Sequence, residues 1–279
     1  MSFLVRVAGL ACAGLIVSAG LVGCGSSSQL TSSPPSPSKP PVSPSGVAGN
    51  WEFTAAPGYP MGAYLSVSGT AVTGLAAMQM AFPLDCHDGC CGGPFAEFNG
   101  SLTGAIDSSG NLTLTSTVPN GGPVFTMSAK AANGSLTSGS YTLTGPCPAA
   151  GAFTGVEYPA LDGTYTGTLT SADTGVSFTI AANLAQSAAP NSRGFLDVTS
   201  SATLTGNPCI ASATGATPLD QNSGILGNQF GVTMNGAQPG ATFILSGSLS
   251  PDGRTISAAY TVAGAACSLD YGTGTLTLQ

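Results

Sequence analysis

The chain has 279 residues, a net charge of −7 and only 6% charged side chains, with Gly, Ser and Thr supplying most of its polarity. So sparse a set of cations leaves no electrostatic footprint for nucleic acid and no basic patch for anionic lipid headgroups. The count of eight cysteines makes the compartment the first question, because thiols pair where the surroundings oxidise and stay free or bind metal where they do not.

The N-terminal stretch MSFLVRVAGLACAGLIVSAGLVGCGSSS carries one positive charge, Arg6, followed by an uncharged and mostly apolar run from Val7 to Leu21. A basic residue before a short apolar run is a secretory signal, and the run is too short for a spanning helix, which needs about twenty apolar residues. The run ends in Leu21-Val22-Gly23-Cys24, with a polar GSSS beginning one residue later. These four residues resemble the lipobox of bacterial envelope lipoproteins. The resemblance implies removal of residues 1–23, a diacylglyceryl group on the Cys24 thiol and acylation of the new amino terminus. It also implies that Cys24 attaches the protein to a membrane. Each buried methylene contributes about 0.8 kcal/mol and a single acyl chain holds weakly, so the anchor needs two or three chains. Gly25 stands where an Asp would resemble an inner-membrane retention signal, so the outer membrane is the expected location.

Residues 24–47 are that cysteine followed by GSSSQLTSSPPSPSKPPVSPSGV, which offers almost nothing to bury. A Pro/Ser segment of this kind is expected to form a disordered, partly extended tether between lipid and folded body.

The remaining body of about 230 residues repeats itself. Phe125-Thr-Met-Ser128, Asn133-Gly134, Ser140-Tyr141-Thr142-Leu143-Thr144-Gly145 and Cys147 recur as Phe243-Ile-Leu-Ser246, Asp252-Gly253, Ala259-Tyr260-Thr261-Val262-Ala263-Gly264 and Cys267. GNWEFT from Gly49 likewise corresponds to DGTYTG from Asp162. Residues 48–158 and 159–279 are therefore read as two copies of one unit.

Both units are written in strand alphabet. In Thr164-Tyr165-Thr166-Gly167-Thr168-Leu169-Thr170 every second residue is Thr, which sends hydroxyls to one face and Tyr165, Gly167 and Leu169 to the other. Asn111–Thr115 and Gly274–Leu278 alternate in the same way, and Asp107-Ser-Ser-Gly110, Asn133-Gly134, Asn191-Ser-Arg-Gly194 and Pro251-Asp252-Gly253 supply the turns. Only Ala181–Ala189 suggests helix, and no more than a turn of it. The expected class is all-β: two tandem antiparallel meanders of seven or eight strands, closing as small barrels or folding as sandwiches. The glycines at 145, 167, 247 and 264 favour barrels, since tight curvature needs positions without a Cβ.

Residues 85–91, DCHDGCC, concentrate three cysteines and His87, the chain's single histidine. With Cys12 leaving in the signal segment and Cys24 lipidated, the cysteines at 86, 90, 91, 147, 209 and 267 remain. Cys147 and Cys267 occupy the same place in their units, and Cys209 is the available upstream partner in the second. Cys209 to Cys267 spans 58 positions and Cys90 or Cys91 to Cys147 spans 57 or 56, the near equality that a duplicated disulfide predicts. Cys86 then pairs with whichever of Cys90 and Cys91 is left. Zinc or copper held by Cys86, His87, Cys90 and Cys91 is the competing reading, but ligands within six positions lack the two-knuckle spacing of structural zinc sites. A redox role lacks a C-x-x-C motif beside a βαβ pattern.

No G-x-S-x-G elbow accompanies His87, and the acidic residues stand singly at turns such as Asp107, Asp162 and Asp252, so no catalytic constellation or cofactor is expected. Trp51, Phe53, Tyr64, Tyr165, Phe178 and Tyr260 are expected in the cores, or lining an apolar ligand cavity if the barrels are wide. The expected function is a membrane-anchored envelope lipoprotein displaying two disulfide-stapled β modules for structural or binding duty without catalysis. A lipocalin-like carrier of a small apolar ligand is the alternative. The body, with its Gly49-Asn50-Trp51 opening and repeated Cys-bearing unit, resembles uncharacterised lipoproteins of environmental bacteria, a resemblance that implies no activity and identifies no protein or small-molecule partner.

Overall fold

The computed structural model of the chain describes residues 46–55, 59–80, 96–117, 124–144, 148–215, 224–264 and 267–279. These are strands and turns throughout, with no helix. The first eight strands are β1 (Gly49–Ala55), β2 (Tyr59–Ser68), β3 (Ala71–Met80), β4 (Ala96–Ile106), β5 (Asn111–Thr117), β6 (Val124–Ala132), β7 (Ser135–Thr144) and β8 (Ala149–Tyr158). Each pairs antiparallel with the next, and β8 returns to β1 with Trp51 opposite Glu157, closing the barrel.

The second set is β9 (Asp162–Ser171), β10 (Ser177–Pro190), β11 (Leu196–Thr205), β12 (Ser212–Gly215), β13 (Gly224–Leu226), β14 (Gln229–Gly236), β15 (Thr242–Leu249), β16 (Thr255–Gly264) and β17 (Cys267–Leu278). It closes through β9, which pairs with both β10 and β17. The short strands β12 and β13 share one place between β11 and β14, so nine strands fill eight positions. The meander read from the sequence is thus two closed barrels, and the sandwich alternative falls. The matching segments of the repeat take equivalent places, β6 with β15 and β7 with β16.

Ala181–Ala189 differs from expectation: it lies within β10, a strand of 14 residues in which Phe178, Ile180, Ala182 and Leu184 alternate with exposed or half-buried neighbours. Alanine has weak strand preference, but pairing with β9 and β11 on both sides supplies what propensity does not.

Close backbone approach explains the inward glycines. A Cβ on Gly167 would stand 2.0 Å from the Thr275 carbonyl oxygen and one on Gly247 2.3 Å from that of Ser257, so a side chain at either would push neighbouring strands apart. Turns follow the sequence signals. Asn133 and Gly134 adopt the left-handed φ values of 50° and 72° that a two-residue hairpin turn needs. Asp107 Oδ1 accepts from Ser109 N at 2.8 Å and from Asn111 N at 2.9 Å, bonds that hold its carboxyl below the usual range. Asp252 Oδ1 is held in the same way by the Ser250 hydroxyl and Arg254 N.

Large apolar side chains pack inside both barrels. In the first, Trp51, Phe53, Leu65, Leu102, Leu114 and Met127 are fully buried, with Phe53 edge-on to Phe153 at 6.1 Å. In the second, Tyr165, Leu169, Phe243, Leu245, Ile256 and Leu276 do the same, and Phe178 meets Tyr260 edge-on at 5.0 Å. Each such large side chain contributes about 1.5–3 kcal/mol. The buried Tyr165 hydroxyl donates to Gly253 O at 2.8 Å. Burial, then the charges of Asp162 and Asp252, push its phenol up to about 12. Of the aromatics proposed as core, only Tyr64 is half-buried instead; it lies against the second barrel.

Candidate functional site at the junction of the two barrels

Asn50 and Trp51 are consecutive strand residues, yet both are buried, at 3% and 0% exposure. Alternation along a strand allows this only where both faces are covered. Trp51 points into the first barrel, its indole Nε1 donating to Val47 O at 2.8 Å. Asn50 is covered by the β13–β14 hairpin of the second barrel. Its Nδ2 donates to Gly227 O and its Oδ1 accepts from Gly227 N, both at 2.8 Å.

The hairpin fits because glycines stand on both sides of the contact. Gly227 has a φ of +63°, and a Cβ on Gly62 of β2 would lie 2.7 Å from Leu226 Cγ. Beside them Glu52 Oε2 accepts from Asn228 N at 3.2 Å. Half-burial raises the Glu52 carboxyl above its usual value, against the lowering effect of that backbone bond. The Tyr158 phenol is raised by burial and by the neighbouring Glu52 charge.

One side of this contact opens as a cleft of about 370 Å³ between the barrels, with Asn50, Tyr64, Glu157, Tyr158, Gln186 and Ser187 in its walls. The Tyr64 hydroxyl donates across the cleft to Ala188 O at 3.1 Å, and within the second barrel Gln186 Oε1 accepts from Leu161 N at 2.9 Å. The lining contains no imidazole, thiol or amine. Such a cleft can hold a small polar molecule or ordered water. Nothing in the sequence reading pointed to Asn50, Gly62 or Gly227; the usable signal was a polar residue immediately before the lone tryptophan.

The residues singled out from the sequence lie elsewhere. Cys24, Cys86, His87, Cys90, Cys91 and Cys147 fall outside the described residues. Cys209 is 5% exposed and disulfide-bonded, with Asn207 Oδ1 accepting from Cys209 N at 2.8 Å and from Ile210 N at 3.0 Å. Cys267 begins β17, its backbone opposite Gly264, while its side chain is outside the described set. Among the described residues no group of three or more His, Cys, Asp or Glu could hold a metal ion.

No family model, curated protein or solved structure matches the chain.

Proposed function

We propose that this is a cell-envelope lipoprotein, anchored through acyl chains on Cys24 and carrying two disulfide-stapled barrels that act by displaying their outer surfaces, without catalysis. The observation that supports display is the burial, inside both barrels, of large side chains such as Trp51, Met127, Tyr165 and Phe243. A lipocalin-like carrier needs an apolar hold of about 300 Å³ or more, and among the described residues these large buried side chains lie in the interiors where it would have to form. The support for anchorage is sequence: Leu21-Val22-Gly23-Cys24, then a Pro/Ser tether that separates lipid from body. Outer-membrane residence follows from Gly25 in the same reading.

Metabolic labelling with palmitate, in a bacterium with a lipoprotein maturation pathway, tests the anchor. The wild-type chain is expected to incorporate label and fractionate with membranes, and Cys24→Ser to lose both label and processing. A Cys24→Ser chain that is still labelled and membrane-bound would refute the proposal.

A further inference from the structure

Among the described residues the large apolar side chains with high exposure include Ile244 at 40%, Tyr271 at 46% and Leu269 at 54%. They are not scattered. Ile244 lies opposite Thr261, and Thr261 opposite Tyr271, so Ile244 and Tyr271 sit two strands apart in one outward row of the second barrel. Leu269 is two residues from Tyr271 on the same face of β17. The next outward row is Ser246, Ala259, Thr273, Thr170 and Ser177, and the one after it is Ser248, Ser257, Thr275, Thr168 and Thr179. Neighbours within a row stand about 5 Å apart and rows about 7 Å apart. The wall is therefore a hydroxyl grid with an apolar, aromatic upper margin.

At that margin opens a cleft of about 550 Å³, with Thr170, Thr261, Leu269, Tyr271 and Thr273 among its walls and no charged side chain in its lining. Its floor is braced from inside the barrel. Asp270, between the two exposed residues, turns inward, where Oδ1 accepts from Ser171 Oγ at 2.6 Å and Oδ2 from Tyr260 OH at 2.8 Å. Leu269 and Tyr271 therefore flank a pinned residue rather than ride on a free loop.

We propose that this cleft is a binding site for a neutral polysaccharide chain. A sugar ring has an apolar C–H face and a rim of hydroxyls. The Tyr271 ring with Leu269 supplies a surface for the first, and the hydroxyls of Thr170, Thr261 and Thr273 supply partners for the second. The uncharged lining selects against anionic glycans, which need a cation to offset desolvation. A second copy of this chain fits less well, because its association would bury the same hydroxyls against apolar groups and leave them unbonded. The inference deepens the display role by naming what is displayed to.

Full-length protein in detergent is to be incubated with insoluble cellulose, chitin and starch, and the bound fraction measured against protein concentration. Retention on at least one is expected, with Tyr271→Ala weakening it about tenfold, the value of one aromatic contact. Tyr271→Phe should bind nearly as wild type, and Leu269→Ala should weaken binding less. Tyr271 is exposed, so an unchanged melting temperature should accompany its loss. Retention on none of the three, or equal retention of Tyr271→Ala, overturns the proposal. So does light scattering that finds a wild-type dimer turned monomeric by Tyr271→Ala. Palmitate labelling is independent of every one of these outcomes, so the anchor and the glycan site fail separately.

Discussion

Asn50 and Gly227, 177 positions apart, exchange two hydrogen bonds of 2.8 Å through the Asn50 carboxamide, in a contact from which water is excluded. The carboxamide satisfies one backbone donor and one backbone acceptor of a hairpin tip that would otherwise lie buried without partners. The pair joins β1 of the first barrel to the tip that precedes β14 of the second.

Removing that carboxamide should loosen the join more than it harms either barrel. Asn50→Ala leaves the Gly227 N–H and C=O both unsatisfied, at about 1–3 kcal/mol each. The expected result in urea is a loss of about 2–5 kcal/mol and a single transition that separates into two, followed by Trp51 fluorescence for the first barrel and far-UV signal for both. A variant that unfolds in one transition with wild-type stability would show that Asn50 does not couple the barrels.

The barrels were legible in the sequence because their cause is local and repeated. Thr164–Thr170 alternates without interruption, and Phe125–Ser128 matches Phe243–Ser246, so strand, facing and duplication could be read off together. Ala181–Ala189 departs from expectation because its five alanines carry little strand signal, and the partners that decide the matter, Thr199–Thr205 and Asp162–Thr170, are distant in sequence. The junction was not legible at all. Asn50, Gly62 and Gly227 are ordinary residues until a hairpin from the other unit arrives, and no local pattern encodes that meeting. The grid of threonines on the second barrel was visible as alternation, but its relation to Ile244, Leu269 and Tyr271 needed the register.

The second barrel should fold without the first, with one qualification. Its buried cluster runs from Leu161 to Leu276 but also takes in Tyr158, which is 8% exposed, with Val156 packed against it. A fragment of residues 156–279 is therefore expected to unfold cooperatively and to be more stable than one of residues 159–279. Thermal melts of the two fragments decide this. If neither folds, the two units share their stability and the boundary at residue 159 has no thermodynamic meaning.

Glu52 should make the junction sensitive to pH. Burial raises its folded-state pKa above the unfolded value, so the protonated form is the one the fold prefers. Its contribution is complete below the unfolded pKa of about 4.3 and is lost as pH rises through the folded value. At neutral pH the half-buried charge opposes folding, eased by the Asn228 N–H. Glu52→Gln, which keeps an acceptor for that N–H, is expected to raise the melting temperature at pH 7 and to leave it nearly unchanged at pH 4. The same gain at both values would assign the effect to packing instead of charge.

The cysteines provide the last test. Ile210, beside Cys209, approaches Gly236, where a Cβ would stand 3.3 Å from Ile210 Cγ2 and 2.8 Å from Ala241 Cβ. Gly264 meets the same neighbourhood, where its Cβ would stand 3.1 Å from Ala241 Cα. Gly264 lies opposite Cys267 in the β16–β17 pairing. One end of the second barrel thus gathers the backbones next to Cys209 and Cys267, which supports their pairing. Peptide mapping of unreduced protein is expected to recover Cys209 joined to Cys267. In the first barrel it should recover Cys147 joined to Cys90 or Cys91, with Cys86 bonded to the other. Closing the 58-residue span contributes about 4 kcal/mol in the chain-entropy model, so reduction should lower the stability of each barrel by a few kcal/mol, while chelators should leave both unchanged. Stoichiometric zinc or copper, with three thiols titrating in the first barrel, would replace the disulfides of the DCHDGCC segment by a metal site and make His87 a ligand.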